Sequence, residues 1–251
     1  QMLKRKIIIS SVVLALSVSH SVQAGWLDFF KGAVDEAAKK GGADIAKSAL
    51  SNSEVVSGLK EALANGVESS INTLGRPGGF LGNKLVEIAV PDSLKTIAST
   101  ARTFGQGQYV DSFETTMNQA AEKAVPEAAE ILADAIRQMS IDDAMNILNG
   151  SDYAATQYFR EVSEASLAEK FKPIVKQATD QAGVTAAYKN LTGHAPPLLG
   201  GILEGSALDL DQYITNKSLD GLFKYIAMEE KSIRNNPAAR TTGLLKKVFG
   251  R

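Results

Sequence analysis

Residues 218–235 read SLDGLFKYIAMEEKSIRN, and their spacing decides the class of fold. Leu219, Leu222, Phe223, Ile226 and Ile233 recur at the three- and four-residue steps of one helix face. Glu230 falls inside that apolar stripe, and Arg234 follows one turn on. A buried carboxylate without a partner costs several kcal/mol, so Glu230 must find a base or stay protonated. Two readings follow. One is a structural ion pair with Arg234, Arg137 or Arg240; the other is an acid/base group or a polar ligand anchor inside a cleft.

Outward from this stretch the same period returns. Tyr109 to Val125 and Pro126 to Met139 read as two helices, with Val110, Phe113, Met117 and Ala121 marking the apolar face of the first. Glu114, Asn118 and Glu122 run along one edge of that face at i, i+4 and i+8. Ser140 with Asp143 makes a variant capping box, Asn149-Gly150 ends that helix, and Ser151 opens another. Within 152–182 the stripe changes phase near Ser166, which with Glu169 forms an S-x-x-E box, so two helices are expected there. Helices are also expected at 53–74, after Pro91 up to Gly105, and at 208–215, 218–235 and 243–249. Leu85 to Val90 is the one strand-like run. A single strand forms no sheet, so it reads as an extended connector. The expectation is an all-α fold: one bundle-like domain over 51–251, of about ten helices, with no substantial sheet.

The runs MNQAAEKAVPEAAEILADAIRQMSIDDAMNILNGSDYAATQYF (117–159) and DLDQYITNKSLDGLFKYIAMEEKSIRNNPAARTTGLLKKVFG (209–250) closely resemble one bacterial family, as does GLKEALANGVESSINTLGRPGGF (58–80). It is the domain-of-unknown-function family 4197, whose members are typically exported. The resemblance implies a helical envelope protein. It implies no reaction and carries over no catalytic residue.

The first residues agree with export. Lys4, Arg5 and Lys6 precede a short apolar run, Ile7 to Val18, and Val22-Gln23-Ala24 places small residues at the −3 and −1 positions of a cleavage site. Residues 1–24 therefore read as a signal peptide cut after Ala24, which places the mature chain in the periplasm or outside the cell. Residues 25–50 read as an amphipathic helix and a glycine linker. Trp26, Leu27, Phe29 and Phe30 at its head suit either a lipid interface or docking on the protein's own core, and Asp28, Asp35 and Glu36 on its polar face favour docking.

Composition excludes more chemistry than it suggests. The chain has 251 residues, 44% hydrophobic and 22% charged, which is the make-up of a folded globular protein. Lys+Arg 27 against Asp+Glu 28 does not suit a nucleic-acid binder. With Cys 0 and His 2, of which His20 lies in the signal peptide, no metal site is expected and His194 reads as a loop residue. The oxygen-rich set Asp142, Asp143, Asn146, Asn149 and Asp152 lacks the spacing of a calcium loop and reads as helix caps. No cofactor is expected: Gly105-Gln106-Gly107 lacks a third glycine, and the glycines of 75–82 lack the G-K-[ST] ending of a phosphate loop. No G-x-S-x-G is present either.

What remains is an apolar Pro/Gly loop at 192–207. There Leu198, Leu199, Ile202 and Leu203 either cover a hydrophobic groove as a lid or patch the core. The expected function is a non-enzymatic binding or interaction protein of the envelope, its partner another envelope protein or an apolar small molecule. The alternatives are a carboxylate-dependent hydrolase, with Glu122 and Glu230 facing each other, and a membrane-surface protein held by its N-terminal helix.

Overall fold

The architecture is that of a computed structural model, which describes residues 52–193, 209–240 and 242–249. Among these residues there are nine α-helices, three one-turn 3-10 segments and no strand. The helices are α1 (Asn52–Leu74), α2 (Lys95–Thr103), α3 (Gly107–Ala124), α4 (Ala128–Gln138), α5 (Ile141–Asn149), α6 (Ala154–Ala182), α7 (Val184–Gly193), α8 (Leu210–Asn235) and α9 (Gly243–Phe249). Residues 1–24, read above as a signal peptide, the 25–50 segment with Trp26, Leu27, Phe29 and Phe30, and the loop residues Leu198, Leu199, Ile202 and Leu203 lie outside the described residues.

The all-helical reading holds, and the count of about ten helices does not. Two expected breaks are absent. α6 runs unbroken through Ser166 and Glu169, both exposed in mid-helix. The phase change has another cause. The buried positions Ala155, Phe159, Ser163, Leu167, Phe171 and Val175 advance by four residues at every step. Four residues overshoot a turn by about 40°, so the buried row winds through about 200° along the helix. A helix on the surface keeps one buried face, whereas α6 lies centrally against α3, α4, α5, α7 and α8 and turns successive faces inward. Pro173 is tolerated because it and Glu169, whose carbonyl its missing N–H would have met, are exposed. α8 likewise runs unbroken through 215–218, with Asn216 and Lys217 simply on its exposed face.

α7 has no counterpart in the sequence reading. Gly183, at φ 74°, takes the left-handed conformation that separates it from α6, and Val184, Ala187 and Leu191 bury its short apolar face. Its Tyr188 ring meets Phe113 at 5.9 Å.

α5 starts as expected. Asp143 N–H donates to Ser140 Oγ at 3.1 Å, while Ser140 N–H and Oγ–H donate to Asp143 Oδ2 at 2.9 and 2.7 Å. Those bonds hold the Asp143 carboxyl below the usual carboxylate range, the Ser140 hydroxyl contributing most. A depressed folded pKa adds stability above the unfolded value of about 3.9 and loses it as pH falls through the folded one. Ser140→Ala should therefore cost about 1 kcal/mol at neutral pH, with the difference from the parent narrowing below about pH 4 in urea melts.

The connector between α1 and α2 alternates as an extended segment should. Val86, Ile88 and Val90 are buried while Leu85, Glu87 and Ala89 are exposed, and it pairs with no strand. α8 accommodates it through Gly221, where an added Cβ would lie 2.8 Å from the Phe80 ring and 3.3 Å from Val86 Cβ. Phe80 is fully buried and has no room to retreat. Gly221→Val should destabilise by about 2–3 kcal/mol through overpacking, read as a lower midpoint of thermal unfolding.

Candidate functional site

The polar residues singled out in the sequence fall into two buried constellations. The first is the edge of α3. Glu114 Oε1 accepts the Val90 N–H at 3.3 Å, and Asn118 Oδ1 accepts the Ile88 N–H at 2.8 Å. Asn118 Nδ2 donates back to the Ile88 carbonyl at 2.9 Å and to the Glu114 carbonyl at 2.7 Å. Glu122 Oε1 takes both the Phe80 and Leu81 N–H groups at 3.1 Å. The match is geometric. Four helical residues rise about 6 Å and two extended residues about 6.6 Å, so Glu114 and Asn118 meet Val90 and Ile88 on an antiparallel extended chain, while Glu122 one turn on takes the start of the connector. α3 thus supplies, with side chains, the ladder that a partner strand would supply with its backbone.

α8 grips the same connector from the other side. Tyr213 Oη–H donates to the Ala89 carbonyl at 3.0 Å, Lys224 Nζ to the Leu85 carbonyl at 2.8 Å, and Asn83 Nδ2 to Tyr225 Oη at 2.6 Å. Burial raises the Tyr213 phenol above its ordinary pKa, with Asp92 and Glu114 nearby adding to the effect.

The second constellation settles which base Glu230 meets. Arg234 Nη2 and Nε donate to Glu230 Oε1 at 2.9 and 3.1 Å, the carboxylate side chain being 5% exposed and the guanidinium 12%. Arg240 instead donates to the Ile233 and Arg234 carbonyls at 3.0 and 2.7 Å, and Arg137 pairs with Asp134. Glu230 has a further task that the sequence does not show. Its oxygens accept the Ala155 and Thr156 N–H groups and the Thr156 hydroxyl, all at 2.9 Å. These amides are in the first turn of α6, so Glu230 caps a helix distant in sequence, in place of the expected Ser151. Arg234 Nη2 also donates to the Ile147 carbonyl at 2.7 Å, in the last turn of α5. One ion pair therefore sets a negative charge at a helix N-terminus and a positive charge at a helix C-terminus.

The two constellations hold different segments, Glu122 the start of the connector and Glu230 the start of α6. Gly221, against Phe80, and Glu230 are about 13 Å apart along α8. No hydrogen bond or ion pair joins Glu122 to Glu230. Among the described residues, Thr215 Oγ1 is the one buried side-chain polar atom without a hydrogen-bond partner. Also among them, no three His, Cys, Asp or Glu side chains gather where a metal could sit, and no helix is long and apolar enough to cross a membrane. The sequence reading overlooked a row of exposed lysines on α8, Lys217, Lys224 and Lys231, although their seven-residue spacing was there to be read.

Fold and site together define an all-helical protein whose buried charged and amide side chains staple backbone segments to one another. The chain belongs to the family described as Protein of unknown function (DUF4197), whose model matches residues 49–250. No curated protein and no solved structure matches it.

Proposed function

We propose that the protein is a non-enzymatic binding or interaction protein exported to the cell envelope. The observation that supports this is the commitment of its buried carboxylates. Glu122 holds two backbone amides, and Glu230 holds two amides, a hydroxyl and Arg234. A carboxylate so engaged moves a proton only by releasing the segment it fastens, which weighs against the hydrolase reading. Export rests on the n-region, apolar run and V-Q-A site of residues 1–24. The ligand class is an apolar small molecule, on the apolar character of residues 192–207.

The test is native mass spectrometry of the protein, expressed from the whole sequence and purified from an envelope fraction without detergent. An apolar small molecule should accompany the protein, and its N-terminal sequence should begin at Gly25. Hydrolysis of ester or glycoside substrates, lost in Glu122→Gln or Glu230→Gln with helical content unchanged, would overturn the proposal.

A further inference from the structure

Along the outward side of α8 runs a line of lysines. Lys217, Lys224 and Lys231 are exposed and follow at seven-residue steps, about 10 Å each along the axis. Seven residues fall about 20° short of two full turns, so the three residues leave α8 along one line. Each is held in place. Lys217 Nζ lies 5.7 Å from the centre of the Tyr213 ring, Lys231 Nζ 6.0 Å from that of Tyr153, and Lys224 Nζ bonds to the Leu85 carbonyl.

The acidic residue of α8 on this side is Asp220, and Arg160 neutralises it at 3.2 Å while covering the Phe223 ring. On the adjoining connector the exposed Lys84 and Glu87 offset each other, exposed Asp152 stands beside Tyr153, and Asp92, the acidic neighbour of Lys217, is paired with Lys95 at 2.7 Å. The line therefore keeps a positive excess. Beside it stand large apolar side chains in water: Leu85 and Tyr153 are each 47% exposed and Met228, one turn from Lys224, is 44% exposed.

We propose that this side of α8, with Leu85 and Tyr153 beside it, docks on the anionic surface of a lipid bilayer. It rests on the reading of the protein as a binding protein and names a partner for it. Charge complementarity calls for an anionic partner, and the apolar neighbours decide which. An acidic peptide or a nucleic acid would meet the lysines and leave Leu85 and Met228 in water. A bilayer interface takes both, with ammonium groups at the phosphates and their stems, the tyrosines and the apolar side chains just beneath. The contact lies flat along α8.

The test is co-sedimentation of the full chain with vesicles of phosphatidylcholine alone and of phosphatidylcholine with about 30% phosphatidylglycerol, at low and high salt. Binding to the anionic vesicles, weakened by salt and slight on neutral ones, is expected. Lys217→Gln/Lys224→Gln/Lys231→Gln should lose about 100-fold, roughly fivefold per lysine. Because Lys224 also braces the connector, Lys217→Gln/Lys231→Gln leaves that bond in place and should lose about 25-fold with unchanged helical content. Replacing all three by Arg should retain binding. Leu85→Ser/Met228→Ser should weaken binding while leaving its salt dependence. Absence of vesicle binding, equal binding by both Gln variants and the parent, or capture by polyglutamate but not by vesicles overturns the proposal. None of these outcomes touches the binding-protein reading, which falls instead to an ester or glycoside activity.

Discussion

Glu230→Ala should lower the stability of the protein by about 3–5 kcal/mol in urea denaturation. The loss has two parts. Arg234, 12% exposed, is left as a largely buried cation facing carbonyls and the Phe249 ring with no counter-charge, and the Ala155 and Thr156 amides at the start of α6 lose their acceptor. Glu230→Ala/Arg234→Met separates them. With no charge stranded, the double variant should recover most of the loss and retain a deficit of about 1–2 kcal/mol, the worth of the missing cap. A single-variant change under about 0.5 kcal/mol would mean that the carboxylate is solvated and the clamp does not operate.

Asn118→Ala should cost about 2–4 kcal/mol, and locally rather than evenly. Asn118 is fully buried and answers both the N–H and the C=O of Ile88, so its truncation orphans a donor and an acceptor in the core. Neither group has a strand to turn to. Amide hydrogen exchange at Ile88 should accelerate more than exchange in the middle of α6, because the connector can release from α3 while the helices remain packed. Asn118→Asp should be nearly as damaging. It keeps an acceptor for the Ile88 N–H but offers no donor to the carbonyl and adds a buried charge. Uniform exchange across the chain would show that the side-chain ladder is not what holds the connector.

Both effects concern residues visible in the sequence whose roles were not. That Glu230 is buried followed from its place between Ile226 and Ile233, while Arg234, Arg137 and Arg240 were all open as its partner until the packing placed Arg234 against it. That the carboxylate caps α6 did not follow, because its amide donors lie 74 and 75 residues away. The row Glu114, Asn118 and Glu122 was legible as a row, yet its object, the connector, depends on how two separate segments are laid side by side.

The sequence by itself determined the helical class, the family, the start of α5 at its Ser140–Asp143 box and the extended connector at 85–90. Apart from the family, which rests on long runs of similar sequence, each rests on neighbours a few residues apart, where backbone geometry fixes which side chains meet. Only the tertiary structure decided that α6 and α8 are unbroken, and that the buried carboxylates fasten backbone segments. A helix that turns successive faces inward along its length has no single apolar face, so its winding core row imitates a break in sequence. A side-chain hydrogen bond to a distant amide leaves no periodicity at all, since its partner is set by packing and not by spacing along the chain.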